Sequence, residues 1–243
     1  MKKTVVVFSG AGLSAESGIP TFRASDGLWE NHRIEDVASP EGWMRNPKLV
    51  LNFYNERYEK IMQAQPNPAH IAIARLQDKF HVVNITQNID NLLERAGCQN
   101  VWHLHGSVQT MKCEHHIDIG IGISSYYYCD YKTDWKDKIT EKDKCPKCGG
   151  QMRPDIVWFG EAVDMRHEYL YELVATAFIF IGVGTSAQVY PAAGLLPTFQ
   201  NTPHKYFIDP NPAYSMLRGY HVIADTASRA LPKLADELMH RFG

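Results

Sequence analysis

The sequence of 243 residues has no excess of charge of either sign. Its 25 Lys and Arg residues are balanced by 27 Asp and Glu residues, so the net charge at pH 7 is only -2. Such a molecule has no overall electrostatic attraction for nucleic acid or for an anionic membrane. We therefore expect neither of these as a partner.

The sequence also lacks a long apolar run, internal repeats and low-complexity segments. The apolar stretch close to the N-terminus stops at Ser9, which makes it too short for a signal peptide or a membrane span. There are only five cysteines, and without an export signal they are not typical of a disulfide framework. These absences predict a protein of the reducing cytoplasm, and we expect it to be a monomer.

Short runs of β-branched and aromatic residues recur along the chain, and most are separated by segments long enough to hold a helix. Because these runs are apolar almost throughout, they are typical of parallel strands that are buried on both faces. They predict an α/β fold with a doubly wound parallel sheet. The predicted strands cover residues 4–8, 81–86, 177–184, 205–209 and 221–224.

Two segments interrupt this alternation. The first, 39–62, can begin a helix at Ser39-Pro40, and its apolar residues then recur at helical spacing, which predicts a helical insertion. The second, 111–153, is polar and aromatic and holds four of the five cysteines. It has too few apolar residues for a core of its own, and Cys145 and Cys148 have the spacing of a metal knuckle. We predict a small module held together by a metal.

A glycine-rich motif follows the first predicted strand directly. Gly10-Ala-Gly12-Leu-Ser-Ala15 matches the pattern G-x-G-x-x-A, in which backbone amides and a helix N-terminus hold a pyrophosphate. The alternative is a tight turn that needs small residues. The chain then continues through Gly18 and Pro20 to Phe22 and Arg23, which is typical of a mobile loop that lies over a ligand.

Polar side chains come at the end of the second predicted strand. Gln87, Asn88 and Asp90 suit the recognition of hydroxyl and carboxamide groups, and open α/β sheets bind ligands at this end of their strands. Asp90 has the alternative role of capping the next helix, and both roles can coexist. His105, at a strand end that faces the same crevice, is a candidate general base. His103 lies on the same face by period-two alternation, so spacing leaves the choice of histidine open.

Together with residues 153–161 and 182–186, these motifs closely resemble those of the sirtuins, and the resemblance covers essentially the whole chain. Residues 24–33 and 35–41 narrow the match to the CobB-type bacterial branch. The resemblance implies a Rossmann-like NAD-binding domain and a small domain that combines the helical insertion with a zinc module. The implied NAD-binding domain consists of residues 1–38, 63–110 and 154–243, and the small domain of residues 39–62 and 111–153.

The resemblance further implies an NAD-dependent protein-lysine deacylase that acts on acylated lysines of proteins. In the family's mechanism the acyl oxygen attacks the ribose of NAD and nicotinamide leaves; a histidine, here His105, then deprotonates a ribose hydroxyl that attacks the resulting imidate. The matching NAD-binding positions are Gly10, Ala11, Gly12, Ala15, Phe22, Arg23, Gln87, Asn88, Ile89, Asp90, Gly184, Thr185, Ser186, Asp209, Asn211 and Ala227. The segment that pairs with the substrate peptide matches Val157, Trp158, Phe159 and Gly160.

Tyr54 and Arg57 match the Tyr-x-x-Arg motif of sirtuins that remove succinyl and malonyl groups. Residues at i and i+3 share one face of a helix, so both side chains can enter one pocket. A guanidinium binds a carboxylate bidentately and a tyrosine hydroxyl adds a donor. The alternative for an arbitrary helix is a core tyrosine and a solvated arginine.

The sequence departs from the family pattern at the zinc module and at the adenosine ribose. Sirtuins hold structural zinc with two cysteine pairs, whereas Cys113-Glu-His-His116 stands in place of the first pair. We favour His116 as the partner of Cys113, Cys145 and Cys148, with Cys129 as the competitor and loss of the metal as a third possibility. The usual asparagine near the ribose is Asp209 here.

Two other functions compete with deacylation. The same activated ribose is open to a protein nucleophile, which would make the protein a mono-ADP-ribosyltransferase. A sensor of NAD or ADP-ribose without turnover is the third reading, but it would be expected to have lost His105, Asn88 or Asp90. All of these residues are present.

Overall fold

The computed structural model describes residues 2–21, 28–114, 116–118 and 126–243. The strands are β1 (Thr4–Ser9), β2 (Leu28–Trp29), β3 (His32–Arg33), β4 (His81–Thr86), β5 (Val101–His103), β6 (Gly106–Cys113), β7 (His116–Asp118), β8 (Tyr126–Tyr128), β9 (Lys132–Asp134), β10 (Met152–Ile156), β11 (Ala177–Val183), β12 (His204–Ile208) and β13 (His221–Ile223). The α-helices are α1 (Ile34–Val37), α2 (Pro40–Arg45), α3 (Pro47–Gln63), α4 (Pro68–Leu76), α5 (Leu92–Arg95), α6 (His167–Thr176), α7 (Leu195–Thr198) and α8 (Ala227–Phe242). In this described part, no helix is both long and apolar enough to cross a bilayer.

The largest sheet has six strands in the order β13-β12-β11-β1-β4-β5, and its neighbouring strands pair in parallel. It contains all the strands predicted from the apolar runs, with ends that differ by a residue or so, and β5 in addition. The fold class is confirmed. β5 is too short and too polar to stand out as an apolar run, since it consists of Val101, Trp102 and His103.

Period-two alternation in the strands explains why helices cover both faces of this sheet. In β1 the side chains of Val5 and Val7 pack with α4 and α8, while those of Val6 and Phe8 pack with α6 and α7 on the opposite face. Both sets are buried. Parallel strands that are apolar on both faces therefore lie between two helical layers, as the doubly wound pattern requires.

The helical insertion and the cysteine-rich module share one hydrophobic core. Strands β10, β6 and β9 form an antiparallel sheet, and Val108, Trp135 and Met152 from this region pack with Phe53 and Ile61 of α3. Neither segment buries its apolar residues alone. The division of the chain into the two domains given above stays a prediction.

The predicted helical insertion is two helices, because the chain breaks at Asn46. This residue has φ -151° and ψ 76°, and its side-chain oxygen accepts a hydrogen bond from Leu49 N–H. Pro47 follows at the first helical position, where its missing N–H costs nothing. Asn46 is therefore the N-cap that starts α3.

The sheet order creates a crevice at the carboxyl ends of the central strands. From β1 the chain crosses to β4 on one side, whereas β11 lies on the other side of β1. After β11 the chain crosses to β12, away from β1, so the loops after β1 and β11 run in opposite directions. Doubly wound sheets bind their ligands at such a switch point.

Candidate active site

A cavity of about 870 Å³ opens at this crevice and extends to α3 and to the segment after β10. Every residue predicted to contact NAD or the acylated peptide lines it, except Phe22 and Arg23, which lie outside the described residues. The structure thus brings together positions from the whole length of the chain. Their individual roles stay predictions.

The loop after β1 holds Gly10 and Gly12 against Gly184 in the loop after β11. Gly12 N–H donates to Gly184 O at 2.8 Å. A Cβ atom on Gly10 would lie 2.7 Å from Gly184 O, and one on Gly12 would lie 2.7 Å from Gly184 Cα. The tight packing considered above is therefore real. It does not conflict with ligand binding, because two backbones without side chains form a surface that fits a diphosphate.

Ser14 is the centre of a buried polar network that the motif analysis missed. Its hydroxyl donates to Asp90 Oδ2 at 2.9 Å and accepts from Asn88 Nδ2 at 3.1 Å. His70 Nε2 lies 3.4 Å from the same oxygen, and Asn67 N–H donates to His70 Nδ1 at 3.2 Å. Since Nδ1 accepts, Nε2 carries the proton and points at Ser14. The network fixes the Asn88 and Asp90 side chains at the cavity wall.

Asp90 lies both at the start of α5 and at the cavity wall. Its Oδ1 accepts from Leu92 N–H at 3.1 Å at the start of α5, while the residue also lines the cavity. Burial raises the pKa of Asp90, and the hydrogen bonds from Leu92 and Ser14 oppose that shift. The carboxyl group therefore supports the start of α5, next to the N-cap Asn91, and its contact with a ligand stays a prediction.

Hydrogen bonding distinguishes the two candidate bases. His103 places Nδ1 2.7 Å from Asn88 O and Nε2 2.7 Å from Glu94 Oε1, so both ring nitrogens face acceptors. Burial lowers the pKa of His103, but the hydrogen bond and charge of Glu94 outweigh that effect and raise it. A protonated His103 has no lone pair to accept a proton, and it does not line the cavity.

His105 is arranged as a base. Its Nδ1 lies 3.0 Å from Gln87 O, a contact that needs the proton on Nδ1 and leaves the lone pair on Nε2. Gln87 itself is held by a hydrogen bond from its Nε2 to Thr185 Oγ1 at 2.8 Å. Burial lowers the pKa of His105, and the Gln87 carbonyl opposes only part of that shift. The neutral, proton-accepting form is therefore favoured near pH 7.

This lowered pKa predicts the pH dependence of turnover. A base must be neutral, so the rate should fall as His105 becomes protonated on lowering the pH. Because the pKa of His105 is lowered, the half-maximal rate should lie below about pH 6.5, the usual histidine pKa. A kcat profile between pH 5 and 8.5 measures this. A half-maximal rate at pH 7.5 would contradict the assignment.

The end of the cavity that is expected to hold the adenosine is formed by the loop after β12 and the start of α8. Asp209 accepts a hydrogen bond from Asn211 N–H at 2.8 Å, and burial raises the pKa of its carboxyl group. Glu16 accepts from Ser228 N–H at 3.0 Å and from the Thr226 hydroxyl at 3.1 Å. Glu16 therefore fastens the glycine-rich motif to the N-terminus of α8.

The expected peptide-pairing segment is already bonded within the chain through several N–H groups. Val157 N–H donates to His105 O at 2.9 Å, and Phe159 N–H donates to Ala38 O at 2.9 Å. Trp158 N–H donates to Glu161 Oε2 at 2.8 Å. A peptide that pairs at these three positions must therefore donate its own N–H groups to their carbonyl oxygens.

Tyr54 and Arg57 share one face of α3 and end in the same part of the cavity. The Tyr54 hydroxyl and the Trp158 Nε1 are buried and interact with each other, but neither makes a hydrogen bond of good geometry to a described residue. The Arg57 guanidinium stacks on Phe53 with 3.4 Å between its central carbon and the ring centroid, and on Trp29 at 4.5 Å. Burial lowers the pKa of Arg57 to about 10, so it stays charged at pH 7. Such buried donors fit an acidic acyl group.

A separate site lies in the small domain, where Cys113, Cys129, Cys145 and Cys148 converge. Their sulfur atoms all lie within 4.8 Å of one another, with 3.4 Å between Cys113 and Cys148 and 3.7 Å between Cys129 and Cys145. Tetrahedral zinc with bonds of about 2.3 Å requires sulfurs about 3.8 Å apart. The four cysteines fit this ion without further ligands.

This cluster favours Cys129 over His116 as the fourth ligand. The fourth sulfur is that of Cys129, the competitor, while the His116 side chain lies outside the described residues. The spacing favours His116 because it restores the two-residue gap after Cys113, whereas Cys129 directly follows β8, which pairs antiparallel with β7. We take Cys113, Cys129, Cys145 and Cys148 as the ligand set.

Variants of the two competing ligands should behave differently. Cys129→Ser should lose the zinc, about one ion per chain, and destabilise the fold by an amount on the order of several kcal/mol, since metal binding is part of the folding energy. His116→Ala should keep both the zinc ion and the stability of the wild type. Metal analysis by mass spectrometry and thermal unfolding provide the measurement, and loss of zinc from His116→Ala alone would reverse the assignment.

Residues 10–191 match the family model described as the Sir2 family. A protein of Vibrio cholerae named NAD-dependent protein deacylase is 48% identical over 198 residues, which cover 79% of this chain and 75% of that protein. A Helicobacter pylori protein of the same name is 42% identical over 238 residues, with 98% of each chain covered.

Solved structures agree over the whole chain. A Sir2 homologue in complex with NAD is 34% identical, with a TM-score of 0.83 over 100% of this chain and 91% of its own. A Sir2 homologue variant in complex with 2′-O-acetyl ADP ribose is 35% identical, with a TM-score of 0.84 over 100% and 94%. The shared fold and the matched site motifs lead to one conclusion: the chain belongs to the Sir2 family.

Proposed function

We propose that this protein is an NAD-dependent protein-lysine deacylase with His105 as its general base. The observation that carries this proposal is the unprotonated Nε2 of His105 at the wall of a cavity that also contains the glycine-rich loop and the Tyr54–Arg57 pocket. Relatives that bear the name NAD-dependent protein deacylase support it. The His105 base gives no advantage to mono-ADP-ribosyl transfer, in which no ribose hydroxyl has to attack an imidate.

Bound NAD supplies an electrophilic ribose carbon and a nicotinamide leaving group. The Gly10–Gly12 loop and Gly184 would hold the diphosphate, and Asn88 and Asp90, fixed through Ser14, would orient the nicotinamide end. His105 Nε2 takes the proton of a ribose hydroxyl, while the Gln87 carbonyl keeps the ring in the required tautomer. The protein thus contributes in two ways: it holds NAD in place, and it accepts the proton of the ribose hydroxyl.

We propose an acyl range that includes acetyl, succinyl and malonyl groups. Arg57 and the Tyr54 hydroxyl would bind the terminal carboxylate of an acidic acyl chain, and both are buried donors that point into the cavity. A smaller neutral acyl group fits the same space without using them. The aromatic walls formed by Trp29 and Phe53 suit the methylene groups of a longer chain.

The zinc ion has a structural role in this proposal. The four cysteines belong to the core of the small domain and do not line the cavity. No catalytic group is lost with the metal, although the strand that leads from Cys113 back to the site would lose its support. Reduced cysteines favour an enzyme of the cytoplasm, where we expect it to act as a monomer on acylated proteins.

Nicotinamide release tests the proposed function. The purified protein should release nicotinamide from NAD when an acetyl-lysine or succinyl-lysine peptide is present, and much more slowly when the same peptide carries free lysine. Release without any acylated peptide would favour ADP-ribosyl transfer to the protein itself. The absence of release with all acyl peptides would contradict an enzyme and favour a sensor of NAD.

A further inference from the structure

The acyl pocket contains a carboxylate that the sequence motifs do not predict. Glu30 Oε2 lies 3.1 Å from Arg57 Nη2, and the Glu30 side chain is only 19% exposed. Lys60, one turn further along α3, donates from Nζ to the same oxygen at 2.8 Å. All three side chains line the cavity. The guanidinium offered to an acidic substrate therefore already has an anionic neighbour.

A tight turn fixes this carboxylate over α3. β2 and β3 pair antiparallel, with Trp29 opposite His32, and the two connecting residues Glu30 and Asn31 have φ values of 44° and 67°. Positive φ at both central positions is the type I′ hairpin turn. Trp29, just before the turn, stacks on the Arg57 guanidinium. Glu30 is thus positioned by the same hairpin that forms one wall of the acyl pocket.

The ion pair with Glu30 leaves one nitrogen of the Arg57 guanidinium free to donate a hydrogen bond to a substrate carboxylate. Nη1 donates to Phe53 O at 3.1 Å, but Nη2 makes no hydrogen bond of acceptable geometry to any described residue, Glu30 included. Glu30 neutralises the charge without satisfying the donor. When a neutral acyl group is bound, this pairing avoids an uncompensated buried cation, which would be costly. When an acidic acyl group enters, two carboxylates must share Arg57 and Lys60, and they repel each other.

We propose that Glu30 sets the acyl specificity of this pocket, because its carboxylate compensates Arg57 for neutral acyl groups and competes with acidic ones. This inference rests on the proposed deacylase function and adds a residue outside the Tyr-x-x-Arg pair. The net charge of Glu30, Arg57 and Lys60 is positive, so acidic acyl groups still bind. Acidic acyl groups bind less tightly than they would in a pocket that contained Arg57 without Glu30.

Glu30→Gln tests the inference, because it keeps the length of the side chain and removes its charge. The KM for a succinyl-lysine peptide should fall about tenfold relative to the wild type, the size expected for two partly screened charges a few ångströms apart. The KM for an acetyl-lysine peptide of the same sequence should stay within about twofold or rise. The succinyl-to-acetyl ratio of kcat/KM is the measurement.

Glu59→Gln is the matched control, since it removes one negative charge from α3 that pairs with Lys138 at 2.9 Å and not with Arg57. The succinyl-to-acetyl ratio of kcat/KM in Glu59→Gln should equal that of the wild type. In an Arg57→Met background, Glu30→Gln should no longer increase the ratio, because the two residues act through one another. Thermal unfolding of each variant shows that it is folded.

Two results would overturn the role of Glu30. One is an unchanged or reduced succinyl-to-acetyl ratio in folded Glu30→Gln, and the other is an equal increase in Glu59→Gln. Wild-type turnover in the same assay reports separately on the proposed function. Acetyl-lysine turnover with an unchanged ratio in the Glu30 variant would refute this inference alone.

Discussion

Replacing His105 with alanine should lower the kcat for acyl-lysine removal by roughly 100- to 10,000-fold, the range expected for loss of a positioned general base. The physical reason is the lone pair on Nε2, which is held towards the cavity by the hydrogen bond from Nδ1 to Gln87 O. NAD binding should persist, because the Gly10–Gly12 loop and Asn88 do not depend on the imidazole. Steady-state kinetics and titration with NAD measure both quantities.

His103→Gln is the matched control for this variant. Glutamine keeps a donor for Glu94 but cannot titrate, and His103 already has both ring nitrogens against acceptors. This variant should lose some stability and retain most of its turnover. If His103→Gln were inactive and His105→Ala retained normal kcat, the two histidines would have to exchange roles.

Arg57→Met should reduce kcat/KM for a succinyl-lysine peptide by roughly 10- to 100-fold, the amount expected for hydrogen bonds between charged partners in a buried pocket. Turnover of the acetyl-lysine peptide should change by less than about threefold, since that group does not reach the guanidinium. Methionine is a long, unbranched apolar side chain that can pack on Phe53 and Trp29, the rings on which the guanidinium stacks. The ratio of the two kcat/KM values is the measurement.

Arg45→Met controls for the loss of an arginine from the helical insertion. Arg45 lies on α2, its side chain is 58% exposed, and it pairs with Asp36 at the surface. Exposed pairs of this kind contribute little, so this variant should match the wild type with both peptides. Equal losses of deacetylation and desuccinylation in Arg57→Met would mean that Arg57 supports the fold and does not recognise the acyl group.

The sequence predicted the strands of the main sheet and the contents of the cavity well, because both follow from local patterns. The apolar runs around Val5 and Ile179 are typical of strands that are buried on both faces, and the glycine-rich motif directly follows the first of them. β5 was not visible as an apolar run, since Val101–His103 is short and ends in a histidine. The break at Asn46 was readable in principle from Asn-Pro, a cap followed by a proline.

Local sequence patterns do not predict contacts between residues that are distant in the chain. Ser14 meets Asp90 across 76 positions, and neither residue type nor spacing specifies that hydrogen bond. Glu30 meets Arg57 only because the hairpin turn directs it over α3. Spacing alone left both His103 and His105 as candidate bases; the resemblance favoured His105, and the hydrogen-bond partners supply the physical reason. For the zinc site, a regular spacing favoured His116, whereas the fold brings Cys129 to the other three cysteines.

Mass spectrometry of the products formed from NAD and an acyl-lysine peptide tests the proposed deacylase activity of this protein. We predict equal amounts of free-lysine peptide, nicotinamide and ADP-ribose that carries the acyl group. With His105→Ala all three should form at a small fraction of the wild-type rate. Release of the free acid without nicotinamide, or ADP-ribose attached to the peptide, would contradict the deacylase assignment.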